Sequence, residues 1–94
     1  MNAAEQILNQ LGGRKFIAMT GAVCFSDGNT LITKFKGSRI ANIMYITVNE
    51  LDLYNVKIGK FKGLDLKTIK EESNVYANDL RSIFESTTGL ATNL

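Results

Sequence analysis

The chain has 94 residues and no histidine, tryptophan or proline, one cysteine and a formal net charge of +2. That length fits one domain over residues 1–94 with a single modest core, and excludes the two-domain cleft that many large-substrate enzymes use. With 45 % hydrophobic and 21 % charged residues it is too apolar to be a disordered segment, and the missing residue types exclude a Ser–His–Asp triad, a Cys–His pair, a His-based zinc site and an internal disulfide.

Ala3, Ala4, Ile7, Leu8 and Leu11 follow helical spacing and predict a short amphipathic helix over residues 3–11. Asn2 and Glu5 stand as a capping box at its start, and Gly12-Gly13 stops it. Nine residues are too few to hold a helix alone in water, so the segment must dock on something.

The dock is expected to be a sheet. Phe16-Ile17-Ala18-Met19 reads as β-rich and leads through Gly21, a bulge candidate, to Val23-Cys24-Phe25. Ser26-Asp27-Gly28-Asn29 is a turn signal, and Asp-Gly is the dipeptide preferred by type I′ hairpins. Residues 30–36 alternate Leu31, Thr33 and Phe35 against Ile32, Lys34 and Lys36, and Gly37-Ser38 ends the run. Residues 42–49 alternate Met44, Ile46 and Val48 against Ile43, Tyr45 and Thr47, and Glu50-Leu51-Asp52 turns. Residues 53–62 set Tyr54, Val56 and Ile58 against Asn55 and Lys57, then Lys60 and Lys62, with Gly59 expected to shift the register. Gly63-Leu64-Asp65 turns once more into a weaker last strand over 66–70. Short strands joined by tight turns imply an antiparallel meander.

The C-terminal stretch reads as helical, with Ser73 or Asn74 as the cap and Val75, Leu80, Ile83 and Phe84 on one face. Asp79 and Glu85 look outward, Thr87-Thr88-Gly89 stops the helix, and Leu90 is placed for the contact that follows a glycine cap. The expected fold class is α+β: an antiparallel β-meander of about five strands with an N-terminal and a C-terminal helix packed on one face.

Charge is unevenly spread. Residues 14–70 hold ten of the eleven Lys and Arg against four acids, whereas residues 71–94 hold Arg81 against Glu71, Glu72, Asp79 and Glu85. The sheet is therefore expected to be basic and the C-terminal helix acidic. If the apolar sets face the helices, Lys34, Lys36, Tyr45 and Lys57 project from the opposite face; Lys60, Lys62, Lys67 and Lys70 extend the patch or fall on the other side, according to how the break at Gly59 is taken up. Lysines around an exposed aromatic suit a nucleic-acid backbone, with Tyr45 available for stacking. A solvated sheet face must be polar in any case, and lysine on edge strands discourages aggregation. Asp79 and Glu85 are the corresponding candidates for a partner on the acidic helix.

Other features read as structural. Cys24 lies in an apolar stretch and is expected to pack as a small hydrophobe, as free Cys does, and its being the one cysteine leans toward a reducing compartment. Gly12-Gly13-Arg14-Lys15 resembles an anion loop, yet no helix is expected after it, so a helix-terminating glycine pair is preferred. Tyr54 and Tyr76 fall at expected core edges. The scattered acids suggest neither metal nor cofactor. No apolar run reaches the length of a membrane span, and the first residues lack the basic start of a secretory signal.

Several segments together carry a resemblance. Ile7-Leu8-Asn9-Gln10-Leu11-Gly12-Gly13 followed by Lys15-Phe16-Ile17-Ala18-Met19-Thr20-Gly21-Ala22, then Ile46-Thr47-Val48-Asn49, Leu51-Asp52-Leu53-Tyr54 and Val75-Tyr76-Ala77-Asn78-Asp79-Leu80 with Phe84 and Thr88-Gly89-Leu90, resemble a family of small, uncharacterised proteins of bacteriophages, prophages and other mobile elements. The likeness covers nearly the whole chain and names no catalytic or binding residue. It implies a short accessory protein working in the cytoplasm of a bacterial host.

Absent catalytic types, uneven charge and that resemblance together lead to an expectation of a non-enzymatic protein that binds and blocks a host factor, such as a nucleic-acid-guided (CRISPR-type) defence complex. The host protein or protein–nucleic-acid complex would be met through the basic sheet face, the acidic helix, or both. The alternative is direct nucleic-acid binding through Lys34, Lys36, Tyr45 and Lys57. An unprotected sheet edge also invites a second copy of the chain as partner.

Overall fold

The structure is a computed structural model that describes residues 3–92; the Asn2 cap lies outside them. Helix α1 spans Ala3–Leu11 and α2 Arg14–Thr20. The strands are β1 Val23–Asp27, β2 Thr30–Lys34, β3 Ile43–Val48, β4 Tyr54–Lys62 and β5 Asp65–Val75, after which a 3₁₀ turn, Ala77–Asp79, leads into α3, Leu80–Thr88. The sheet runs β1-β2-β3-β4-β5 with every neighbouring pair antiparallel. The α+β meander is thus the architecture of the chain.

The pleat sorts the strands by face. Across β2, β3 and β4, Leu31 lies opposite Ile46 and Ile46 opposite Val56, while Thr33 lies opposite Met44 and Met44 opposite Ile58. All of these are buried, and α1 and α3 cover them. Ile7 and Leu11 of α1 and Leu80 and Phe84 of α3 are fully enclosed. Phe84 takes Phe16 and Phe35 edge-on, with ring centroids 5.1 and 5.0 Å away, a geometry worth more than burial alone.

Both two-residue hairpins have a positive φ at their first central residue and not at the second: Gly28 (φ 60) before Asn29, and Gly63 (φ 63) before Leu64. This is the type II′ pattern, so the first turn is not the I′ turn expected from Asp-Gly; Asp27 is the last residue of β1, opposite Thr30.

The N-terminal half departs from expectation at residues 16–19. They form helix α2, not a strand, because Phe16 is drawn into the core beside Phe84 while Gly21 closes the helix in the left-handed conformation, its N–H 2.9 Å from the Ile17 carbonyl. A helix therefore does follow Gly12-Gly13. The pair still ends α1, with the Gly13 N–H on the Leu8 carbonyl at 2.9 Å, and α2 has only seven residues. At the other end, Ser73 and Asn74 do not cap a helix. They belong to β5, which at eleven residues is the longest strand, and Asn74 (φ 58) sits where the β4–β5 register shifts between Tyr54 and Val56.

Candidate functional site

The face turned away from the helices carries a cross-strand row of Phe25, Ile32, Tyr45, Lys57 and Glu71, each directly opposite the next. Tyr45 and Lys57 are therefore neighbours, as expected, in a shallow depression of about 280 Å³. Glu71 borders it, which lowers the local positive potential. The expectation of a basic sheet and an acidic C-terminal helix is corrected here. Glu71 and Glu72 lie on β5 within the sheet, while α3 itself holds Arg81 and Glu85.

Lys60 and Lys62 are not on that face. Gly59 keeps its place opposite Ile43 of β3, so β4 alternates through the glycine without a break. The register shift falls on β5 instead, between the pairs Ile58–Lys70 and Gly59–Thr68, leaving Ile69 as the extra residue. Lys60 and Lys62 consequently point to the helix side, and the Lys60 ammonium donates to the Arg39 carbonyl at 2.9 Å. Phe61 takes the open side. Gly59 itself is required: a Cβ there would stand 2.7 Å from the Lys67 carbonyl oxygen and 2.9 Å from Leu66 Cδ1.

Three of the expected lysines nevertheless meet at this end of the sheet. Lys34, Lys36 and Lys60 line an open groove of about 610 Å³ together with Phe61, Asn42 and Ser38. The connection over residues 35–42 forms its wall. Ser38 holds that wall to the end of α3 by donating to the Thr88 carbonyl at 2.8 Å, and its oxygen accepts the Ile40 and Ala41 N–H groups. Asn42 clasps β4, accepting from the Phe61 N–H at 2.9 Å and donating to the Phe61 carbonyl at 3.3 Å. Lys34 lies 5.7 Å from the Phe25 ring centroid, a cation–π distance. Among the described residues, the one ion pair is Lys70–Glu72 at 3.2 Å, so no carboxylate neutralises the groove. Phe61 escapes a reading of sequence alone because a register shift at a glycine can belong to either strand, and Ser38 and Asn42 because they lie in the irregular connection between β2 and β3.

The two acidic candidates separate. Asp79 is exposed at the start of α3 without capping it through its side chain. Glu85 does not look outward. Its carboxylate accepts the Thr92 N–H at 3.0 Å and the Thr92 hydroxyl at 3.2 Å, and Arg81 Nε donates to that same hydroxyl at 3.1 Å. Thr92 is fully buried, so Glu85 secures the segment after α3 rather than offering a free charge. Tyr76 is also corrected: it is 63 % exposed, whereas Tyr54 is buried.

Cys24 is half-buried on the core side of β1, and burial pushes its thiol up from the ordinary value of 9.0, partly offset by the Thr33 hydroxyl 3.7 Å away. Among the described residues no group of three or more acidic or thiol side chains could hold a metal ion, and no helix is long and apolar enough to cross a membrane. The chain matches no family model, no curated protein and no solved structure.

Proposed function

We propose that this is a non-enzymatic binding protein that blocks a host factor by covering a polyanionic surface with the Lys34–Lys36–Lys60 groove. The observation that carries the reading is that Lys34, Lys36 and Lys60 line one open groove and that, among the described residues, none of the three is held in an ion pair. An anionic strand or acidic protein surface gains there from release of its counterions, and Phe61 supplies a flat apolar contact beside the charges. The resemblance to phage and mobile-element proteins supports a bacterial host cytoplasm as the setting and a defence complex that handles nucleic acid as the target.

The test is affinity purification from a bacterial host expressing the protein, with and without nuclease treatment. A host complex that co-purifies, and is lost when Lys34, Lys36 and Lys60 are reversed to Glu, is the expected outcome. Absence of any enriched complex would sink the proposal.

Direct nucleic-acid binding without a host protein is the second reading. It is favoured by Tyr45 lying two residues from Ile43, a groove residue on the same face. It predicts that the purified protein binds a single-stranded oligonucleotide with a log–log salt slope of about −2 for three phosphate contacts. Loss of the host complex on nuclease treatment would favour it over contact with protein.

A further inference from the structure

The sheet has two edges, and they are finished differently. The β5 edge carries Lys67, Lys70, Glu71 and Glu72 and is broken by two register shifts, one of them with Asn74 in the left-handed conformation. Charge and irregularity of that kind block pairing with another strand. The β1 edge has neither device. Its register with β2 is unbroken from Val23 to Asp27, its first four residues are uncharged, and Val23 and Phe25 are 55 % and 48 % exposed.

The two-residue turn at Gly28-Asn29 fixes which backbone groups face outward. The residues flanking such a turn, Asp27 and Thr30, exchange both hydrogen bonds, as do Phe25 with Ile32 and Val23 with Lys34 two and four residues further on. The same phase continues across β2, where the odd-numbered residues face β3: the Asn29 carbonyl takes the Val48 N–H at 3.1 Å, and the Phe35 N–H goes to the Asn42 carbonyl at 3.1 Å. The N–H and C=O groups of Cys24 and Ser26 therefore point away from the sheet.

We propose that β1 pairs with β1 of a second copy of this chain, antiparallel and two-fold symmetric about Phe25, joining two five-stranded sheets into one of ten strands. In this register Cys24 and Ser26 of each copy exchange four backbone hydrogen bonds with Ser26 and Cys24 of the other. Phe25 meets its counterpart at a position without such bonds, where paired residues approach closest, at Cα separations of about 4.5 Å. A second copy is the occupant because the edge is self-complementary. Its outward donors and acceptors match their own two-fold image, the exposed ring at the axis gains an aromatic partner, and no two like-charged residues of β1 stand directly opposite one another. The interface is isologous and closes at two copies. It does not depend on the groove binding a polyanion. It does set both open faces, and so both Lys34 side chains over their Phe25 rings, on one continuous surface.

Sedimentation velocity over a concentration series reaching that of an NMR sample, with amide exchange on the same material, tests this. The expected result is a concentration-dependent dimer in which the Cys24 and Ser26 amides become protected as the dimer fills. Phe25→Lys should leave a folded monomer, by far-UV circular dichroism. Ser26→Pro removes an outward donor without touching the β1–β2 ladder, and provides the same test if the first variant fails to fold. A wild-type protein that stays monomeric throughout, or a dimer that survives either substitution in a folded variant, would overturn the proposal.

Discussion

At the end of the sheet where β3 turns into β4, three asparagines close on one another. The Asn49 side chain donates to Asn55 at 3.1 Å and to Asn74 at 2.8 Å, its Oδ1 accepts the Leu51 and Leu53 N–H groups, and Asn55 Oδ1 takes the Asn74 N–H. At the opposite end one asparagine, Asn42, satisfies the backbone of Phe61, and three lysines stand around it unneutralised. Both ends solve the same problem, that of finding partners for backbone groups where the ladder stops. The first is internally satisfied: its asparagine side chains are occupied with structure, and the turn they hold carries Glu50 and Asp52 in place of lysines. The second leaves its charges for something else. Stability and binding should thus separate by end of the molecule.

The strongest way to break that division is to reverse the charges of the basic end. Replacing Lys34, Lys36 and Lys60 with Glu should weaken binding to an anionic oligonucleotide at low salt by roughly a hundredfold, while the melting temperature moves little, since such surface changes usually stay within about 0.5 kcal/mol. Fluorescence anisotropy and thermal denaturation on one preparation measure both. A large stability loss with unchanged affinity would invert the assignment.

Gly59 tests the same end for rigidity. Gly59→Ala forces a methyl group onto the Lys67 carbonyl and should cost about 1–3 kcal/mol by urea denaturation, because the obstacle is backbone and cannot rotate away. Wild-type stability would mean that β5 yields at Ile69.

At the asparagine end, Asn49→Ala should cost about 1 kcal/mol, water replacing part of the network, and leave oligonucleotide affinity unchanged. A change in affinity would mean that the two ends are coupled.

The smallest effect lies at Cys24, on β1. Its folded thiol titrates above its ordinary value, so the unfolded chain loses the proton first and stability declines as pH rises past about 9. Cys24→Ala should flatten that alkaline decline in melting temperature; an identical pH profile would show that another group drives it.

The contrast between the ends was only partly legible in the amino-acid order. Helix α1 and the antiparallel meander follow from apolar spacing and turn residues, which act locally. Phe16-Ile17-Ala18-Met19 does not reveal itself, because a short apolar run fits a strand or a buried helical turn equally well, and the choice was made by Phe84, far along the chain. The length of β5 was hidden by Lys67 to Glu72, whose charges describe an edge as readily as a loop. In the candidate site, alternation placed Tyr45 beside Lys57 correctly, but carrying it past Gly59 required knowing that the extra residue lies in β5. Glu85 sits outward by helical spacing, and only the return of Thr92 to α3 encloses it.

The strand order has a consequence for how the chain assembles. Each strand pairs with the one just before it, so every ladder closes over a short loop, and low contact order of this kind favours rapid folding. In chain order all five strands are made before α3. Phe84 therefore follows every strand, and until it docks between Phe16 and Phe35 the nascent sheet would present part of its inner face to chaperones.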